Sequence, residues 1–158
     1  MRRVWSMAAI VLATALDQGL KVLAEHTLGG GKVLSLEPIV ALRYVRNSGA
    51  AFSLFSAHTE LLSIGTGILL AAGVAVLMSK KIRSGLLYTA LTMIVAGGLG
   101  NLIDRVRLGY VIDYIDPLFV KFAVFNFADC LITVGAALLI LWLILDTVRE
   151  KKEKKERT

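Results

Sequence analysis

The chain has 158 residues, of which 56% are hydrophobic, and a mean hydropathy of +0.71. Soluble domains are about 45–50% apolar, so this excess excludes a single water-facing fold. The net charge of +6 from 18 Lys and Arg against 12 Asp and Glu gathers in short flanks between apolar blocks, and no feature calls for a nucleic-acid partner.

The first apolar block runs over about 4–24, behind Arg2 and Arg3, and the length suits the roughly 20 residues that a transmembrane helix needs. Arg2-Arg3, an apolar stretch and Ala13-Thr14-Ala15 imitate a cleavable leader. The apolar run continues past that point, however, so a retained first helix is expected. Asp17 and Lys21 lie four apart on one helix face. They read as an ion pair near the outer interface with Lys21 snorkelling toward water, or as support for a site.

An outer segment of about 25–60 follows. Gly29-Gly30-Gly31 breaks the helix, and 32–36 and 41–46 then alternate polar and apolar with β-branched and aromatic residues. That alternation predicts two short strands in a small extracytoplasmic β element at the outer interface. Asn47-Ser48-Gly49-Ala50-Ala51-Phe52 reads as a tight turn whose Asn47 either shapes the turn or binds a ligand.

The second and third spans are predicted over about 61–78 and 86–103, with the basic Lys80-Lys81-Ile82-Arg83 between them. Gly97, Gly98 and Gly100 permit close helix packing. Asn101 and Arg105 share a helix face, while Asp104 points elsewhere as a candidate interfacial ion pair. The second outer segment, about 104–123, holds Asp113. Asp129 stands where the fourth predicted span, about 124–148, begins. A charge at such a place marks a functional site by default. Asp113 and Asp129 could form a proton-sharing dyad that activates water; otherwise they are unrelated carboxylates, with Asp129 capping the fourth helix. The tail 149–158 carries six basic residues and could touch anionic lipid.

The expected fold is therefore a polytopic α-helical membrane protein of four transmembrane helices, forming one domain over 1–158. Basic flanks stay cytoplasmic, which places both termini inside and the outer segments, with the two aspartates, outside. Cys130 is the one cysteine, and with His26 and His58 it offers no metal-ligand spacing, no disulfide and no implied cofactor. A Cys–His nucleophile is a remote alternative. A small transporter or channel using Asp17, Asp104, Asp113 and Asp129 as an ion path is another, although no inverted repeat is visible. A non-enzymatic chaperone that holds its partner without cutting it is a third.

Five blocks in series then resemble the lipoprotein signal peptidase (signal peptidase II) family. They are Asp17-Gln18-x-x-Lys21, Asn47-x-Gly49-Ala50-Ala51-Phe52, Gly100-Asn101-x-x-Asp104-Arg105, Val111-x-Asp113-Tyr114 and Phe125-Asn126-x-Ala128-Asp129. The resemblance implies that Asp113 and Asp129 are catalytic aspartates of a membrane protease. It also implies that Asn47, Gly49, Asn101, Arg105 and Asn126 line the site, and that Asp17, Lys21 and Asp104 support it. By the same resemblance the substrates are prolipoproteins cut just before a diacylglyceryl-cysteine, in the bacterial inner membrane, and globomycin-type peptides inhibit. Two departures stand out. Phe122-Ala123 occupies the place where the family often has Trp-Pro, and Cys130 replaces a common Ser.

Overall fold

The computed structural model describes residues 2–49, 59–79 and 82–156. Its elements, in order, are α1 Arg2–Leu28, β1 Val33–Leu36, β2 Val40–Asn47, α2 Thr59–Met78, α3 Gly85–Leu108, β3 Val111–Pro117 and α4 Phe127–Glu156. All four helices are long and apolar enough to cross a membrane. Their outer faces carry bare large side chains, among them Trp5, Leu12, Leu69 and Ile144. In a water-soluble fold such surfaces would mark docking patches; on helices of this length they face lipid.

The helices pack on α3, which contacts α1, α2 and α4. One core cluster joins Ile10, Leu77, Tyr88, Val95 and Ala96. A second joins Ala24 and Leu28 of α1 to Ile112 and Tyr114 of β3. α3 is bounded by sequence signals at both ends. Ser84 accepts the Leu87 N–H at 3.3 Å as N-cap. At the other end Gly109 takes φ 80° and donates its N–H to the Arg105 carbonyl, a left-handed cap that glycine adopts without steric cost.

The sheet is antiparallel in the order β1-β2-β3. β1 and β2 match the two predicted strands to within a residue or two. The sequence offered a strand-like return between Asp113 and Asp129 without bounds. β3 begins before it and carries Asp113 itself, and because Val111–Tyr114 are all buried the half-exposed alternation that would mark the strand is missing. The spans also shift. α1 runs to Leu28, and α3 carries Asp104 and Arg105 in its last turns, beyond the predicted end at 103. α4 starts at Phe127 instead of 124, because Phe125 bridges Ile115 through two backbone hydrogen bonds. It ends at Glu156 instead of 148, so the charged tail continues the helix.

Register places the site. Val45 lies opposite Asp113 and Asn47 opposite Val111, after an irregularity between Leu42 and Val45. Asn47 and Asp113 are therefore diagonal neighbours on one face.

Candidate active site

Lys21 anchors the site from below. Its ammonium meets Asp17 Oδ2 at 2.9 Å, Asp104 Oδ2 at 3.0 Å and Asn101 Oδ1 at 2.9 Å, which uses all three of its donors. All four side chains are buried, Lys21 at 1% exposure. Two readings are corrected here: Lys21 does not snorkel to water, and Asp104 is an internal ion-pair partner instead of an interfacial one. Two carboxylates share one cation, and polar groups offset the surplus. Asp17 accepts the Ala128 N–H at 3.0 Å, Asp104 accepts the Ile112 N–H at 3.1 Å, and Gln18 donates to Asp104 at 3.0 Å and to the Gly100 carbonyl at 3.1 Å. One polar knot thus ties α1, α3, β3 and α4 together. Gln18 stood within a quoted motif without a role; nothing in its spacing gives one.

The knot needs Gly100. A Cβ there would run into the Asp17 carboxylate, and overpacking of this kind costs about 1–3 kcal/mol. Gly100→Ala should lower the thermal unfolding midpoint in detergent and reduce activity. An unchanged midpoint would show that α1 can yield.

Two asparagines pass this order upward. Asn101 accepts from Lys21 and from Asn126 Nδ2 at 3.1 Å, so its own amide donates to Asp129 Oδ1 at 2.8 Å. Asn126 donates to Asp113 Oδ1 at 2.6 Å, and its Oδ1 accepts the Asp129 N–H at 2.9 Å. Asp129 Oδ2 in turn accepts the Asn126 N–H at 3.1 Å. This is a reciprocal box at the start of α4, with Asn126 as the cap. Asp129, expected as the cap in one reading, is the box partner three residues on. Asp113 Oδ2 completes the set by accepting from Asn47 Nδ2 at 2.9 Å. Each of the four carboxylate oxygens therefore receives one N–H donor. Asn47 serves the turn as well, since its Oδ1 accepts the Gly49 N–H at 3.0 Å.

Asp113 is 1% exposed. Burial pushes its carboxyl up from 3.8 to about 6; hydrogen bonds from Asn47 and Asn126 oppose the rise, and the Asp129 charge adds to it. Asn126 bonds to both carboxylates, to Asp113 through its side-chain amide and to Asp129 through its own N–H, which sets the two on either side of one residue. Both line a cavity of about 530 Å³ together with Asn47, Asn101 and Arg105. Arg105 donates to the Gly49 carbonyl at 3.1 Å, and its buried Nε has no hydrogen-bond partner among the described residues. The rest of the wall is mostly apolar, including Phe122, Val124, Ile132 and Val134, and Cys130 lines it too. Of the predicted site residues, Asn47, Asn101, Arg105, Asp113 and Asp129 line this cavity; Gly49, Asn126 and Lys21 bond directly to lining residues, and Asp17 and Asp104 pair with Lys21. Ala50, Ala51, Phe52 and His58 lie outside the described residues, and the turn expected after Asn47 is described only as far as Gly49.

A cleft with two carboxylates in its wall, lined by α3, α4, β2, β3 and the 122–125 connection in a chain with four membrane-length helices, fits a membrane-embedded hydrolytic enzyme. The family model for signal peptidase (SPase) II matches residues 9–145, and the chain belongs to that family of peptidases. It is similar to the lipoprotein signal peptidase of Streptococcus thermophilus, 38% identical over 144 residues, covering 90% of this chain and 94% of the relative. It is also similar to that of Lactococcus lactis subsp. lactis, 35% identical over 147 residues, covering 92% and 97%. A solved bacterial membrane enzyme superposes with a TM-score of 0.81 at 32% identity, covering 90% of this chain and 88% of that one. A second gives 0.78 at 33%, covering 87% and 91%. Peptidase membership displaces the transporter and chaperone readings.

Proposed function

We propose that this chain, as one peptidase domain, cleaves the signal peptide of prolipoproteins just before a diacylglyceryl-modified cysteine, with Asp113 and Asp129 as the catalytic pair. The observation that carries the reading is the one amide donor on each oxygen of two neighbouring carboxylates. Two close carboxylates do not both ionise cheaply, so the pair holds one proton. The ionised member takes a proton from water, whose oxygen attacks the scissile carbonyl carbon. The protonated member donates to the carbonyl oxygen and later passes a proton to the leaving amine. Asp113, with its carboxyl at about 6, takes up the shared proton at a higher pH than an ordinary carboxylate would.

Arg105 and Asn47 hold substrate carbonyls, and the apolar wall accepts the signal helix and the acyl chains. Globomycin-type peptides occupy the same cleft. The membrane is the bacterial cytoplasmic membrane. The basic N-terminus, the Lys80–Arg83 loop and the tail lie inside, which leaves the site toward the outer face.

Lipidation provides the test. Purified protein is given one precursor with and without the diacylglyceryl group, and the products are mapped by mass spectrometry. The expected cut lies on the N-terminal side of the cysteine and requires the lipid. Equal cleavage of the unlipidated precursor would overturn the substrate assignment.

A further inference from the structure

At the end of the bundle opposite the aspartates, α2, α3 and α4 enclose a second cleft of about 1040 Å³. We propose that it binds one anionic glycerophospholipid, with the phosphate between Arg83 and Arg149 and an acyl chain along the apolar wall. Among the described residues the lining carries two arginines and one aspartate, Asp146, a positive balance that a phosphodiester would compensate. A zwitterionic headgroup would leave that balance uncompensated.

Several features fit a lipid better than a soluble anion. Arg83 lies in the α2–α3 connection, and Ser84 caps α3 beside it, so the positive end of the helix dipole faces the same space. The Arg2 guanidinium donates to the Arg83 carbonyl at 2.9 Å, bringing a third cation to the rim. Arg149 donates through Nε to Glu153 at 3.0 Å, which uses one of five guanidinium N–H groups. Half-buried Trp142 lines the cleft and has the amphipathic ring that settles at headgroup depth. Val76 and Leu145 continue the wall toward the hydrocarbon. Asp146 is placed to accept from headgroup hydroxyls, as in a glycerol headgroup.

With the orientation given above the cleft lies in the inner leaflet; the binding itself does not rest on that orientation. Native mass spectrometry of the purified protein in detergent, with added dioleoyl phosphatidylglycerol, phosphatidylethanolamine or phosphatidylcholine, reads the site without reference to orientation. One phosphatidylglycerol should be retained in preference to the other two lipids and should raise the unfolding midpoint. Arg83→Gln with Arg149→Gln should weaken that retention by about tenfold or more, given the attraction of roughly 1 kcal/mol per basic residue. Precursor cleavage in lipid-free detergent should be unchanged, which separates this test from that of the peptidase reading. Equal retention of all three lipids, undiminished retention by the double variant, or equally tight binding of soluble glycerophosphate would each overturn the proposal.

Discussion

Asp113→Asn and Asp129→Asn should each abolish cleavage of a lipidated precursor, by at least about 10²–10⁴-fold, the range that a positioned acid or base contributes. Either change leaves a pair that cannot both hold a proton and accept one. In the same assay Cys130→Ser should keep full cleavage, because the thiol lines the cavity but has no part in the acid–base pair. Loss of activity in that variant would restore the thiol as nucleophile, and substantial turnover by either asparagine variant would remove the dyad. Stability carries an independent signature. The folded carboxyl of Asp113 lies at about 6 against an ordinary 3.8, so below pH 6 the folded state binds protons that the unfolded chain does not. Folding is thereby favoured as pH falls from 7 to 4. Measured against Asp113→Asn, the wild type should gain about 2 kcal/mol over that interval. A flat difference would show that Asp113 does not titrate in this window.

Lys21→Met should have the largest effect on stability. It leaves Asp17 and Asp104 buried around an absent cation, and breaking a buried pair in this way costs about 3–5 kcal/mol. It also frees the Asn101 carbonyl, which Lys21 holds at 2.9 Å, and so loosens the amide that donates to Asp129. Thermal unfolding in detergent should show the loss, with cleavage falling alongside. Adding Asp17→Asn and Asp104→Asn should restore part of the stability, since no unpaired charge then remains. If Lys21→Met unfolds within about 1 kcal/mol of the wild type, the knot is not held by this ion, because the penalty for an unpaired buried charge would be absent.

What could be read from sequence follows the range of each interaction. The Asp17–Lys21 pair and the shared face of Asn101 and Arg105 are local, fixed by a helical repeat of four residues, and both were legible. The four spans were legible from apolar length, although α4 began late because the apolar Phe125 serves a bridge to Ile115. Asp104 could not be read as a partner of Lys21, since that contact joins two helices 83 residues apart in the chain. The strand holding Asp113 left no alternation, because both of its faces are covered. The diagonal placement of Asn47 on Asp113 depends on a register irregularity in β2 that no local residue signals. Most of the polar groups that meet at the cavity are nevertheless members of the five blocks, so the sequence brought them together before the fold did.

The central claim is that Asp113 and Asp129 act on one reacting centre. The most direct measurement is a structure of the protein bound to a peptide inhibitor bearing a hydroxyl in place of the scissile carbonyl. Both carboxylates should lie within about 2.6–3.2 Å of that one hydroxyl oxygen, with Asn101 and Asn126 still donating to them. A hydroxyl contacted by only one aspartate, or seated outside the cavity that they line, would contradict the account.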